Sequence, residues 1–110
     1  MSSEHPSIDV LEQLYAVIEA RKDAPLDESY SAALLAEAPE KPARKLAEET
    51  TEVVIEALKN DKEALVRESA DLLYHLMVVW VAAGLKPAEV WQELAARQHR
   101  SGLTEKAARK

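Results

Sequence analysis

Two acidic pairs at helical spacing are the residues of this sequence best suited to chemistry. Glu49 and Glu52 are three positions apart, and so are Glu68 and Asp71. Residues three apart in an α-helix are neighbours on its surface, so each pair places two carboxylates side by side. When Glu49 is aligned with Glu68, Glu52 falls on Asp71 and the apolar positions around them coincide as well. Both pairs therefore border the same edge of an apolar stripe.

Four carboxylates near one helix seam require a counter-charge. Like charges at this spacing destabilise a helix by about 0.2–0.5 kcal/mol per pair, and removing them from water costs more. Mg²⁺ prefers oxygen ligands and commonly bridges to substrate phosphates, so the pattern predicts a Mg²⁺ site. A solvated acidic face is the alternative. A di-iron bundle is disfavoured because neither acidic segment contains the required Glu-x-x-His pair.

The elements that must position these carboxylates are helices. Apolar spacing and helix-breaking residues predict five of them, over about 7–21, 29–37, 42–59, 60–83 and 87–98. Asn60, with Glu63 three positions later, resembles a capping box that starts the fourth helix, and Gly84 is suited to end it. Only Asn60 and Asp61 separate the third helix from the fourth, so these two helices should pack as an antiparallel hairpin.

The second half of the fourth helix, Leu76 to Val81, is apolar all round and must be covered on every side. A central position in the core would explain this, but we favour the middle of a homodimer because the chain is small. The predicted fold class is therefore all-α, an antiparallel helical bundle of about five helices completed by homodimerisation. Trp80 and Trp91 are expected to be core or dimer anchors.

The composition excludes several classes of partner and site. The 110 residues predict a single domain over 1–110 with a basic tail from about residue 97, and the net charge of −6 argues against nucleic acid or an anionic membrane as partner. The absence of cysteine excludes thiolate metal sites, and two glycines exclude a P-loop. The sequence has neither a signal-peptide pattern nor an apolar run of membrane-spanning length, so we expect a soluble, cytoplasmic protein.

Longer stretches of the sequence resemble a known family. Glu48-Glu49-x-x-Glu52 and Glu68-x-x-Asp71 are similar to the acidic pattern of the all-α NTP pyrophosphatases, the MazG-like superfamily. From about Leu11 to Arg109 the chain resembles, within that superfamily, the phosphoribosyl-ATP pyrophosphohydrolases (HisE). The stretches that narrow the resemblance are Ser29-Tyr30-Ser31-Ala32-Ala33-Leu34-Leu35, Asp71-Leu72-Leu73-Tyr74-His75-Leu76, and Arg100-Ser101-Gly102 with Glu105-Lys106. The segment from Ala38 to Pro42 departs from the family pattern.

The resemblance implies Mg²⁺-dependent hydrolysis of phosphoribosyl-ATP to phosphoribosyl-AMP and pyrophosphate, an early step of histidine biosynthesis. It implies that the Mg²⁺ ligands are Glu49, Glu52, Glu68 and Asp71. We expect Glu48 or Glu49 to accept the proton of the attacking water. Glu48 could instead form a salt bridge with Lys45 or Arg44.

Several side chains are candidates for contact with this substrate. The candidate phosphate contacts are Lys45, Arg97, Arg100 and Lys106, although each could be only a solvated charge. Ser29 and Tyr30 are expected to line the nucleotide site, but capping of the second helix would explain Ser29 equally well. His75 is expected to support the acidic edge or an interface rather than to bind Mg²⁺, and Tyr74 to lie away from the apolar stripe at an interface.

The sequence is also compatible with two other functions. One is a house-cleaning pyrophosphatase of the same superfamily that acts on dUTP or damaged nucleotides. The other is a helical dimerisation module without catalytic activity. Activity on each nucleotide and its dependence on Mg²⁺ distinguish the three.

Overall fold

The computed structural model of the chain describes residues 9 to 98. Within that range it contains five helices and no strand. The helices are α1 (Asp9–Ala20), α2 (Tyr30–Leu35), α3 (Glu40–Lys59), α4 (Lys62–Ala83) and α5 (Pro87–Arg97). The all-α, five-helix prediction is confirmed. Homodimerisation stays a prediction, and Ser7, the expected start of the first helix, lies outside the described residues.

The hairpin of α3 and α4 is the most extensive helix pair in the described part of the chain. Asn60 adopts a left-handed backbone conformation with φ of 61° and ends α3. The Asp61 side chain accepts a hydrogen bond of 3.1 Å from the Ala64 backbone N–H and caps α4. The prediction that Asn60 caps α4 is therefore wrong by one residue. Asparagine tolerates the left-handed conformation, which is needed where the chain reverses.

Other helix ends follow the expected chemistry. Ser29 caps α2 by accepting a hydrogen bond of 3.1 Å from Ala32 N–H. The third helix begins at Glu40, which places Pro42 in its first turn, where a missing N–H leaves no hydrogen bond unmade. Gly84 ends α4 with φ of 73°, and Pro87 is the first residue of α5, as predicted. The divergent segment Ala38 to Pro42 thus comprises the end of the connection from α2, with Pro39 as the N-cap, and the first residues of α3.

The core surrounds the second half of α4. Met77 and Val78 are fully buried there and Trp80 is almost so. They pack against Tyr15 and Ile18 of α1 and against Leu34 of α2, within the same chain. Side chains of the same chain thus cover much of this half, as the alternative of a central core helix describes, and a second subunit at this helix stays a prediction.

The last helix, α5, joins the core through aromatic and polar contacts. The rings of Trp80 and Trp91 meet edge to face, with centroids 5.9 Å apart. Trp91 Nε1 donates a hydrogen bond of 2.7 Å to a Glu12 carboxylate oxygen on α1. Lys86 Nζ lies 3.3 Å from a Glu19 oxygen. These contacts confirm Trp80 and Trp91 as core anchors and attach α5 to α1.

The hairpin leaves part of its apolar surface uncovered. Leu58 is 82% exposed, and large apolar side chains nearby on the two helices are also exposed. The set comprises Val54, Ile55, Leu58, Val66 and Leu73. No helix in residues 9 to 98 is long and apolar enough to cross a membrane.

Candidate metal centre

Three carboxylates from the two hairpin helices converge in the structure. Glu49 of α3 and Glu68 and Asp71 of α4 each offer one oxygen, and these oxygens lie within 4.8 Å of one another. The convergence follows from the antiparallel packing, which brings the acidic edges of both helices to one seam. Glu52 is outside this closest group, although its charge still acts on Glu68. Three of the four predicted ligands therefore meet, with the fourth nearby.

The cluster is electrostatically unfavourable without a cation. Burial raises the pKa of the Glu68 carboxyl above its ordinary value, and the charges of Glu49, Asp71 and Glu52 raise it further. A hydrogen bond between the Glu68 and Glu49 side chains acts in the same direction. Repulsion among these carboxylates thus favours a proton, or a metal ion in its place.

Basic side chains do not neutralise the cluster within the described part of the chain. The ion pairs of residues 9 to 98 join other carboxylates to lysine or arginine. Lys45, the basic residue nearest along α3, bonds Glu48 at 3.1 Å instead. The expected salt bridge between Lys45 and Glu48 is therefore present.

The arrangement suits a hard divalent cation. All three groups present oxygen, the ligand atom that Mg²⁺ prefers. Oxygens bound to one Mg²⁺ at about 2.1 Å lie at most about 4.2 Å apart, so small side-chain rotations would bring the three into range. The open side of the cluster leaves room for water and phosphate oxygens, since Asp71 is exposed and the two glutamates are only half-buried.

His75 lies one helical turn beyond Asp71 on α4 and is only 5% exposed. Its Nδ1 is buried and has no hydrogen-bond partner in the structure. Burial lowers the pKa of His75, and the positive charge of Lys45 lowers it further, while Asp71 and Glu48 oppose them. His75 does not belong to the converging group, which agrees with the expectation that it is not a Mg²⁺ ligand.

Tyr30, Tyr74 and His75 form an aromatic cluster beside the carboxylates. The rings of Tyr30 and Tyr74 stack at 6.1 Å with an interplanar angle of 19°, and both meet His75 edge to face. The Ser31 and Tyr74 hydroxyl oxygens lie 2.6 Å apart and share a hydrogen bond. Sequence reasoning missed Ser31 and set Tyr74 apart at an interface. Ser31 directly follows Tyr30 on the short helix before α3, and this adjacency is the sequence feature that could have identified Ser31.

The remaining predicted contacts are placed differently. Ser29 is buried and its hydroxyl caps α2, so the capping explanation holds and a substrate contact is not supported. Tyr30 is exposed and lies beside the site. Arg97 on α5 bonds Glu93 at 3.0 Å. Arg100 and Lys106 lie outside the described residues.

Comparison with known proteins identifies the family. The sequence profile described as phosphoribosyl-ATP pyrophosphohydrolase matches residues 11–98. The chain belongs to this family. A phosphoribosyl-ATP pyrophosphatase of Azospirillum brasilense is 52% identical over 110 residues, which span 100% of this chain and 99% of that protein. The family assignment agrees with the resemblance seen in the sequence.

Two other relatives carry the same name. The one from Paramagnetospirillum magneticum is 50% identical over 100 residues, 91% of this chain and 92% of that protein. The one from Granulibacter bethesdensis is 52% identical over 103 residues, 94% of this chain but 64% of that longer protein. Similarity to phosphoribosyl-ATP pyrophosphatases thus extends over nearly the whole chain.

Proposed function

We propose that the chain hydrolyses the α–β phosphoanhydride of phosphoribosyl-ATP to give phosphoribosyl-AMP and pyrophosphate, a step of histidine biosynthesis, with Mg²⁺ as cofactor. The observation that carries the proposal is the meeting of Glu49, Glu68 and Asp71 at one seam in a member of this pyrophosphohydrolase family. Uncompensated carboxylates of this kind suit a metal-assisted reaction of a highly charged phosphate ester.

The carboxylates of α3 and α4 hold the cation. Glu49, Glu68 and Asp71 would hold it, and Glu52, whose charge acts on Glu68, would complete the ligand set. When bound, Mg²⁺ neutralises phosphate oxygens and polarises the scissile anhydride. A connection of only two residues joins the helices, which fixes the relative position of the ligands that each helix carries.

A protein carboxylate accepts the proton of the attacking water. Glu49 and Glu48 are the two candidates on α3. Glu48 is the stronger one, because Glu49 directs an oxygen into the metal cluster whereas the Glu48 side chain is half exposed at its border. Positioning of water and phosphate, rather than covalent chemistry, supplies most of the catalysis.

Lys45 binds phosphate oxygens at the edge of the carboxylates. Its ammonium group is held 3.1 Å from Glu48, which keeps the charge close to the cluster without neutralising the three metal ligands. Tyr30 lines the same end of the site. Arg97, Arg100 and Lys106 add positive charge from the C-terminal region, which attracts a triphosphate to an otherwise acidic protein.

Two copies of the chain associate through the exposed apolar side chains of the hairpin. Ile55 and Leu58 on α3 and Val66 and Leu73 on α4 are large and exposed. Several large exposed apolar side chains on one helical hairpin are typical of a protein interface, and a two-fold homodimer would cover them with the same surface of a second copy. Light scattering should show a dimer for the native chain and a shift to monomer for Leu58→Glu.

The function is tested by incubating the purified chain with phosphoribosyl-ATP, dUTP or ATP, each with and without Mg²⁺. We expect pyrophosphate release from phosphoribosyl-ATP, dependent on Mg²⁺ and much slower from the other two. Preferential cleavage of dUTP would assign the chain to the house-cleaning enzymes. No cleavage of any nucleotide, with the fold intact, would favour a non-catalytic module.

A further inference from the structure

The three-ring cluster of Tyr30, Tyr74 and His75 lies outside the group of converging carboxylates. Tyr30 is 55% exposed even though one side of its ring stacks on Tyr74. Tyr74 is held in turn by its 2.6 Å hydrogen bond to Ser31. The side chain of an exposed tyrosine is usually free to rotate, whereas the Tyr30 ring is in contact with the rings of Tyr74 and His75. The outer surface of Tyr30 is therefore a flat, oriented aromatic surface open to a ligand.

The cluster lies one helical turn from the metal-binding carboxylates along α4. His75 follows Asp71 by one helical turn, about 6 Å along the axis. The positive charge of Lys45 helps to lower the pKa of His75, and Tyr30 is one of the groups that raise the pKa of Lys45. Lys45 precedes Glu49 by one turn on α3, and His75 follows Asp71 by one turn on the antiparallel α4, so both lie beyond the same end of the carboxylates. Phosphates match the cation of the carboxylates and the Lys45 ammonium, and a planar base matches the aromatic rings.

The base of phosphoribosyl-ATP differs chemically from that of ATP. Its second ribosyl group is attached to N1 of the adenine, and N1-alkylation makes adenine a much stronger base, so that the ring carries a proton, and a positive charge, near neutral pH. A cationic ring over a tyrosine face gains a cation–π attraction that neutral adenine lacks. The net charge of −6 of the chain acts in the same direction.

We propose that the Tyr30 ring, backed by Tyr74 and His75, binds the N1-substituted adenine of the substrate and selects it over unsubstituted adenine. Ser31 and Tyr74 act as positioning residues that hold Tyr30 in place. The inference rests on the proposed function for the identity of the substrate. It assigns discrimination between phosphoribosyl-ATP and ATP to a named side chain, Tyr30.

Binding of 1-methyladenosine 5′-monophosphate, AMP and pyrophosphate, measured by calorimetry in the presence of Mg²⁺, tests the selection. The native chain should bind the 1-methyl compound more tightly than AMP, by roughly 2-fold to 30-fold. Tyr30→Leu should reduce this ratio towards one and leave pyrophosphate affinity little changed. Tyr30→Phe, which keeps a ring, should lose less. Leu26→Ala is the matched control, since Leu26 is 58% exposed and lies outside the cluster.

A separate set of variants tests the positioning role of Ser31 and Tyr74. Ser31→Ala and Tyr74→Phe each remove the hydrogen bond and should lower the ratio of the two affinities partially, with the loss in turnover appearing in KM rather than kcat. Ser31→Thr, which keeps the hydroxyl, should restore the ratio. A fall in melting temperature with an unchanged ratio would show a purely structural bond and overturn this role.

Failure of the inference is distinguishable from failure of the proposed function. A native chain that hydrolyses phosphoribosyl-ATP but binds both nucleotides equally, or a Tyr30→Leu variant that keeps the native ratio, overturns the selection and leaves the activity in place. A chain that does not hydrolyse phosphoribosyl-ATP overturns the proposed activity, and the measured ratio still decides whether Tyr30 selects the cationic base.

Discussion

The two halves of α4 differ in how the rest of the chain packs against them. In the second half, His75, Met77, Val78 and Trp80 are buried, and side chains of α1, α2 and α5 pack there. In the first half, Ala64 is the only buried residue. One continuous helix thus has a packed end and an open end.

The difference shows a division between stability and chemistry. The packed half removes apolar surface from water, which stabilises the fold. The open half supports Glu68 and Asp71, whose repulsion with Glu49 opposes folding of the metal-free chain. Because the packed half and the α3 contact hold the helix, the open half can carry mutually repelling carboxylates. Substitutions in the two halves should therefore affect different measurements.

The largest expected effect is on turnover, from the open half. Asp71→Asn removes a ligand charge, and we expect kcat for phosphoribosyl-ATP to fall by at least about 100-fold, because charge stabilisation by a bound metal contributes several kcal/mol. Glu52→Gln should also abolish most turnover while the fold is retained. Steady-state kinetics measures both, with Glu63→Gln in the first turn of α4 as control. Near-native activity of Asp71→Asn would contradict the metal assignment.

The next largest effect is on stability, from the packed half. Met77→Ala leaves a cavity at a fully buried position, and we expect the free energy of unfolding to fall by about 2–5 kcal/mol. Urea denaturation followed by circular dichroism measures the change. Arg67→Ala, at an exposed position on the open half of the same helix, should change it by less than about 0.5 kcal/mol. Equal losses would remove the distinction between the two halves.

A smaller effect is expected where α5 is attached to α1. Glu12→Ala removes the acceptor of the Trp91 Nε1 hydrogen bond, which should lower the free energy of unfolding by about 1 kcal/mol. Tryptophan fluorescence should report the change directly, since Trp91 and Trp80 are in contact. Gln13→Ala, at the neighbouring exposed position, is the control. Unchanged fluorescence and stability in Glu12→Ala would show that apolar packing alone holds α5.

The most subtle effect is on the pH dependence of stability of the metal-free chain. The raised pKa of Glu68 means that the folded chain binds this proton more tightly than the unfolded chain does. The stabilisation is present below the ordinary glutamate pKa of 4.5 and is lost as the pH rises through the raised value. Glu68→Gln should abolish this loss. Because His75 titrates in both proteins, the difference between their melting curves isolates Glu68, and parallel curves would contradict the prediction.

Much of the fold follows from local sequence patterns. Gly84 and Pro87 set the end of α4 and the start of α5, and the two residues between α3 and α4 require a hairpin. Which of two adjacent polar residues caps α4 depends on the backbone at the reversal. Asn60 takes the left-handed position that ends α3, which leaves Asp61 as the cap. Local spacing could not distinguish these assignments.

The sequence predicted which site residues are neighbours on one helix, but not how the two helices bring them together. Spacing of three identifies Glu49 with Glu52 and Glu68 with Asp71, and the structure brings both pairs to the seam. The spacing could not show that Glu52 lies outside the closest group of carboxylates, because this depends on the relative rotation of α3 and α4. The hydrogen bond between Ser31 and Tyr74 spans 43 positions and arises from tertiary packing alone.

The most direct test of the central claim, that the open half of α4 is completed by a divalent cation, is thermal unfolding of the native chain and Glu68→Gln with EDTA or with Mg²⁺. We expect Glu68→Gln to be as stable as the native chain, or more stable, in EDTA at neutral pH. We expect Mg²⁺ to raise the melting temperature of the native chain and to have little effect on the variant. A native chain whose melting temperature does not respond to Mg²⁺, together with a variant destabilised in EDTA, would contradict the account.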